Sequence, residues 1–93
     1  VYDHVSDFSA GVAVVGRAGR FGLMDAQGKV ILALAYDGVM PNVHRHYDLR
    51  RDGKMGLASG SGKLLLEPTY EFVEQLNNTH VRVKRNGTWG ILT

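Results

Sequence analysis

A six-residue design occurs three times in this chain, as Arg17-Ala18-Gly19-Arg20-Phe21-Gly22, Arg51-Asp52-Gly53-Lys54-Met55-Gly56 and Arg85-Asn86-Gly87-Thr88-Trp89-Gly90, each copy beginning 34 residues after the one before. A period kept without insertion means that one structural unit is reused, and that each unit buries its apolar surface against its neighbours. The period divides a single domain, residues 1–93, into units 2–35, 36–69 and 70–93, the last one incomplete. The composition, 44% hydrophobic and 22% charged, is that of a chain able to bury a core rather than of a disordered one. With no cysteine, disulfide staples, thiolate metal sites and cysteine nucleophiles are excluded.

Each unit opens with the same punctuation: Tyr2, Tyr36 and Tyr70, then Asp3, Asp37 and Glu71, then Val5, Val39 and Val73. The segments 6–12, 40–46 and 74–80 vary in content at constant length, as connections spanning a set distance would. Next come short alternating runs, Ala13-Val14-Val15-Gly16, Tyr47-Asp48-Leu49-Arg50 and Val81-Arg82-Val83-Lys84, which have the period of half-buried strands. Asp52-Gly53 and Asn86-Gly87 are two-residue turns in which both residues take positive φ. Alanine takes positive φ at a cost, so Ala18-Gly19 is expected to form a turn of another type. The second strand carries Phe21-Gly22-Leu23, Met55-Gly56-Leu57 and Trp89-Gly90-Ile91. After a further turn, a third strand is expected at Lys29–Leu32 and Lys63–Leu66.

A two-residue turn sets the register. It places Val83 opposite Gly90, Leu49 opposite Gly56 and Val15 opposite Gly22. On the reverse face it places Lys84 opposite Trp89, Arg50 opposite Met55 and Gly16 opposite Phe21. Each repeated glycine (Gly22, Gly56, Gly90) is then bare backbone over which a large ring could lie, and the repeated tyrosines, Tyr36 and Tyr70 among them, are the expected rings. A Lys84–Trp89 cation–π contact would add ~0.5–1 kcal/mol if exposed. The expected core comprises Val15, Leu49, Val83, Phe21, Trp89, Leu23, Leu57, Ile91 and the tyrosines.

The run Phe21-Gly22-Leu23-Met24-Asp25-Ala26-Gln27-Gly28-Lys29-Val30-Ile31, ending in Tyr36-Asp37, resembles the WG (Trp-Gly) or KWG β-repeat found mostly in bacterial proteins. Met55-Gly56-Leu57 through Gly62-Lys63-Leu64, with Pro68 and Tyr70, follows the same pattern, and Trp89-Gly90-Ile91 carries the namesake dipeptide. Phe21 and Met55 stand in for the tryptophan, Ser59 for the aspartate that Asp25 retains, and Leu34 for the proline seen at Pro68. The resemblance implies a β-rich, non-catalytic repeat module, often part of a larger bacterial protein, with no catalytic residues to carry over. The expected architecture is all-β, an antiparallel array of three-stranded units, solenoid-like or in one continuous twisted sheet. A closed barrel or propeller-like ring is the alternative.

No cofactor, metal site or enzymatic activity is expected. His44, His46 and His80 read as solvated side chains, Ser59-Gly60-Ser61-Gly62-Lys63 as turn chemistry rather than a phosphate loop, and no serine sits in a nucleophile elbow. The longest apolar run, Val30–Ala35, is too short to span a bilayer, and no leader pattern opens the chain, so a soluble segment without a membrane partner is expected. Neither compartment nor oligomeric state is marked. The candidate partner-binding residues are a basic rim, Arg17, Arg51 and Arg85 before each turn, Arg50 and Lys84 one residue earlier, and Arg20 and Lys54 after two of the turns. Cations at hairpin ends also serve solubility and protect strand edges. The leading expectation is a protein-interaction module, neutralising or scaffolding a partner protein by analogy with the family. Binding of a polyanion or glycan through the Arg/Lys rim is the alternative, compatible with a net charge of +2.

Overall fold

The computed structural model describes residues 2–93, and the regular elements among them are all β-strands. They form three separate antiparallel sheets. The first contains β1 (His4–Val5), β2 (Val12–Arg17), β3 (Arg20–Asp25) and β4 (Val30–Tyr36), adjacent in that order. The second repeats it with β5 (Gly38–Pro41), β6 (Tyr47–Arg51), β7 (Lys54–Ala58) and β8 (Leu64–Tyr70). The third contains β9 (Phe72–Gln75), β10 (Val81–Arg85) and β11 (Thr88–Leu92), with β11 at its edge. The sheets stack into an open array measuring 41 × 26 × 16 Å. The solenoid-like expectation therefore holds, whereas the described residues form neither one continuous sheet nor a closed ring.

The hairpin register is the one that the turns dictate: Val15 faces Gly22, Leu49 faces Gly56 and Val83 faces Gly90. All three turns are of one type, with φ of 54° and 79° at Ala18-Gly19, 54° and 76° at Asp52-Gly53, and 52° and 78° at Asn86-Gly87. The expectation of a different first turn is thus corrected. Part of the reason is a brace that recurs within the molecule, since Asp3 Oδ2 accepts a hydrogen bond from Ala18 N at 3.1 Å and Asp37 Oδ2 one from Asp52 N at 2.8 Å. In the third unit the acid is Glu71, one methylene longer, and its Oε1 accepts from Gly87 N, one residue further along, at 2.8 Å. The Tyr-acid punctuation is a device for holding the turn.

The punctuation also marks a strand that the sequence pattern did not reveal. Residues after it pair with the first hairpin strand, Val39 with Leu49 and Val73 with Val83, so that complete units have four strands rather than three. Tyr36 and Tyr70 end β4 and β8, closing one sheet instead of opening the next.

Packing between sheets uses opposite faces in turn. Val12, Val14, Leu23, Leu32 and Tyr36 of the first sheet form one core with Val39, Tyr47, Leu49 and Ala58 of the second. Leu57, on the other face of the second sheet, packs with Val73 and Val83 of the third. Leu23, Leu49, Leu57 and Val15 are at most 2% exposed. Complete burial of such side chains is worth ~1.5–3 kcal/mol each. Trp89 and Ile91, expected in the core, are instead about half exposed, at 50% and 53%. They lie on the face of the third sheet that corresponds to the Leu23 and Leu57 faces, and no further sheet among the described residues covers it.

The glycine positions also differ from expectation. What passes over Gly22 and Gly56 is backbone, not a tyrosine ring. From Phe21↔Tyr36 to Leu23↔Leu32 the partner strand uses four residues against two, and Met55↔Tyr70 to Leu57↔Leu66 repeats the bulge. The extra chain arches over the glycine, as bulges in edge strands commonly do. A Cβ on Gly56 would sit 2.5 Å from Leu66 O and 2.8 Å from Pro68 N, and one on Gly22 would collide with the Leu32 and Ala33 carbonyls. At Gly90 a Cβ would meet no atom of the described residues within 4 Å.

Candidate interaction surface

The basic rim is largely occupied within the molecule. Arg17, Arg51 and Arg85 lie over the rings of Tyr2, Tyr36 and Tyr70, with guanidinium carbons 5.9, 5.3 and 4.8 Å from the ring centroids. The recurring arginine therefore holds the recurring tyrosine, at the junction between sheets for Arg51–Tyr36 and Arg85–Tyr70, a contact worth ~0.5–1 kcal/mol where exposed. Arg85 also donates to Thr69 Oγ1 at 3.4 Å. Arg20 pairs with Asp37 at 2.6 Å, bridging two sheets through an exposed contact worth ~0–1 kcal/mol. Arg50 and Lys54 are exposed on the second hairpin. Lys84 lies with its Nζ 5.6 Å from the Trp89 centroid, the contact that the register implied.

Burial raises the Tyr36 hydroxyl above its ordinary pKa, a shift that the Arg51 charge opposes and Glu67 reinforces. Burial alone raises Tyr47. Both phenols stay neutral at physiological pH and act as packing groups.

His44 and His46 share one hydrogen-bond network and His80 lies in another. His46 Nδ1 is 3.0 Å from Gln75 Oε1, in a network centred on Asn42, whose Oδ1 accepts from His44 N and His46 N and whose Nδ2 donates to Gln75 Oε1 at 3.0 Å. His80 Nδ1 is 2.8 Å from Thr79 Oγ1 within its own loop. These networks give the variable connections their fixed shape. Among the described residues no three His, Cys, Asp or Glu side chains are grouped closely enough to hold a metal ion.

Exposed apolar side chains gather on the outer face of the third sheet, where Trp89 and Ile91 are about half exposed. Register places Phe72, Lys84 and Trp89 in one row and Glu74, Arg82 and Ile91 in the next. Phe72 and Trp89 meet edge to face at 5.8 Å, and the Arg82 guanidinium lies 4.7 Å from the Trp89 centroid while pairing with Glu74 at 2.7 Å. The result is an aromatic and aliphatic patch framed by two cations and a carboxylate. Aromatic and arginine side chains in such a setting are the usual anchors of protein interfaces. Lys84 was among the residues expected to meet a partner; Phe72, Glu74, Arg82 and Ile91 were not. Their signal was positional: Ile91 occupies the column of Leu23 and Leu57, so its exposure could be seen only once that column was known to need a covering sheet.

A family model described as WG containing repeat matches residues 21–44 and 55–89, more than half of the chain. Neither the curated proteins nor the solved structures include a significant match.

Proposed function

Because this chain belongs to the WG containing repeat family, we propose that it is a non-catalytic protein-interaction module that presents the outer face of its third sheet. The observation that carries this reading is the half-exposed pair Trp89 and Ile91, in columns that the preceding units devote to contacts between sheets. An apolar patch with a polar frame favours a protein partner, which it could scaffold or neutralise. A photo-crosslinking residue at position 91 should capture a discrete protein from the native host, and unmodified chain should compete for it. The same residue at position 26, in an exposed turn, should not. Equal capture from both positions would contradict the proposal.

The second reading, binding of a polyanion or glycan, is supported by the exposed Arg50 and Lys54 and by the net charge of +2. It is weakened by the tyrosine stacking of Arg17, Arg51 and Arg85 and the ion pair of Arg20. Salt separates the two. Polyanion binding falls steeply between low and moderate ionic strength through counterion release, and apolar contact does not.

A further inference from the structure

One cross-strand row recurs in all three sheets. It reads His4–Gly16–Phe21 in the first, Gly38–Arg50–Met55 in the second and Phe72–Lys84–Trp89 in the third. In the first and third sheets the outer members of the row are rings that meet edge to face, with centroids 5.9 Å and 5.8 Å apart, the geometry that aromatic pairs prefer. In the second sheet the same two positions hold a glycine and a thioether. A cavity of about 340 Å³ lies against them, lined by Met40 and Asp48 as well as by the row itself. It belongs to the middle of the array, where a sheet packs on each face of the second sheet.

The adjoining row differs in the same sense. In the third sheet it contains Glu74 and Arg82, an ion pair at 2.7 Å. In the second sheet Asp48 takes the central place, with Met40 beside it. Asn42 Nδ2 donates to Asp48 Oδ1 at 3.2 Å. The ion pairs among the described residues are Arg20–Asp37 and Arg82–Glu74, so no described basic side chain neutralises the Asp48 carboxylate. Asp48 and Arg50, two apart on β6, share a face about 7 Å from each other.

These groups define a ligand. Gly38 offers bare backbone, since a Cβ there would meet only Arg50 Cβ, at 3.8 Å. Met40 and Met55 offer thioethers, which pack favourably against aromatic rings, and the Arg50 guanidinium can lie over a ring face. About 150 Å³ is enough to hold benzene, so the cavity has room for a ring and for a short chain reaching Asp48. A cation at the end of that chain would be to Asp48 what Arg82 is to Glu74.

We propose that this cavity binds a small arylalkylammonium ligand, with its ring between Gly38 and Met55 and its ammonium on the Asp48 carboxylate. The site shares no residue with the outer face of the third sheet and goes beyond the interaction-module reading without resting on it.

The test titrates the whole chain with phenethylammonium and follows the methyl resonances of its three methionines. A ring in the cavity shifts the Met40 and Met55 methyls upfield and saturably, and leaves Met24, in β3 of the first sheet, unmoved. Hydrocinnamate, similar in size with the charge reversed, and cyclohexylethylammonium, with the ring saturated, should each bind more weakly by about threefold or more. Asp48→Asn should weaken phenethylammonium by about threefold, the scale of a partly exposed ion pair. Gly38→Phe builds the ring of the third sheet into the second and should abolish the shifts at Met40 and Met55, with an unchanged Met24 resonance showing that the fold is kept. Absence of a saturable shift at Met40 and Met55, an equal shift at Met24, or equal binding of hydrocinnamate or cyclohexylethylammonium would overturn the proposal. So would undiminished binding by Asp48→Asn or by folded Gly38→Phe. If Gly38→Phe does not fold, Asp48→Asn and the two ligand comparisons decide the matter.

Discussion

Gly56 and Gly90 occupy the same position in the same motif, yet one is buried beneath a crossing strand and the other faces open space. The difference teaches what the motif does. In the complete units the glycine is a notch through which the last strand of the sheet arches, and the leucine that follows it, on the opposite face, is sealed by the next sheet. In the third unit no described residue lies over the glycine, and Trp89 and Ile91 are about half exposed. The glycine motif is therefore a joint between strands and sheets, seen closed at Phe21-Gly22 and Met55-Gly56.

Mutations at paired positions should break this comparison if it is wrong. The largest contrast is expected between Leu57→Ala and Ile91→Ala. Leu57 is 2% exposed in the core between the second and third sheets, and its truncation should cost ~2–5 kcal/mol in urea unfolding, whereas that of half-exposed Ile91 should cost well under half as much. Equal losses would mean that the outer face is buried in solution. Next is Gly56→Ala against Gly90→Ala. The first drives a methyl into Leu66 O and Pro68 N and should cost about 1–3 kcal/mol through displaced backbone. The second should stay within about 0.5 kcal/mol, as ordinary surface substitutions do.

A smaller effect is expected at the turns. Ala18 takes φ 54° in a position held by Asp52 and Asn86 in the other units, and left-handed backbone disfavours alanine by ~1–2 kcal/mol. Ala18→Asn should therefore stabilise the chain by about 1 kcal/mol, and an unchanged or lower melting temperature would refute the turn assignment. The smallest effect concerns alkaline pH. Burial raises Tyr36 and Tyr47, so the folded state holds their protons more tightly than the unfolded chain does. That contribution is complete below the ordinary phenol value of about 10 and is lost as pH rises beyond it. Tyr36→Phe should flatten the decline in stability above pH ~10, measured by urea titration at successive pH values.

Much of the architecture was legible because two simple rules sufficed. The 34-residue spacing fixed the units, and a two-residue turn in a period-two strand fixed every cross-strand pair of the hairpins. What escaped had weaker chemistry in the sequence. β5 and β9 are four residues long and end in Met40-Pro41 and Glu74-Gln75, so no run of β-branched alternation announced them. The arch over the glycine depends on a two-residue surplus in β4 and β8, a matter of pairing length that residue types do not encode. The arginines Arg17, Arg51 and Arg85 were visible as a column, but the partners of Arg51 and Arg85, Tyr36 and Tyr70, belong to the end of the preceding sheet, a placement that became clear only in three dimensions. The apolar type of Trp89 and Ile91 predicts burial, whereas no described sheet packs on their face.

The most direct test of the joint is amide hydrogen exchange of β11 compared with β7, which differ in the number of strands they pair with among the described residues. Strand β7 is paired on both sides, with β6 and β8, while β11 is paired with β10 alone. Residues 54–58 should be protected throughout, and within residues 88–92 protected amides should alternate with ones that exchange at nearly the unstructured rate. Uniform slow exchange across residues 88–92 in the isolated monomer would contradict the pairing of β11 with β10 alone and the assignment of the glycine motif to the joint.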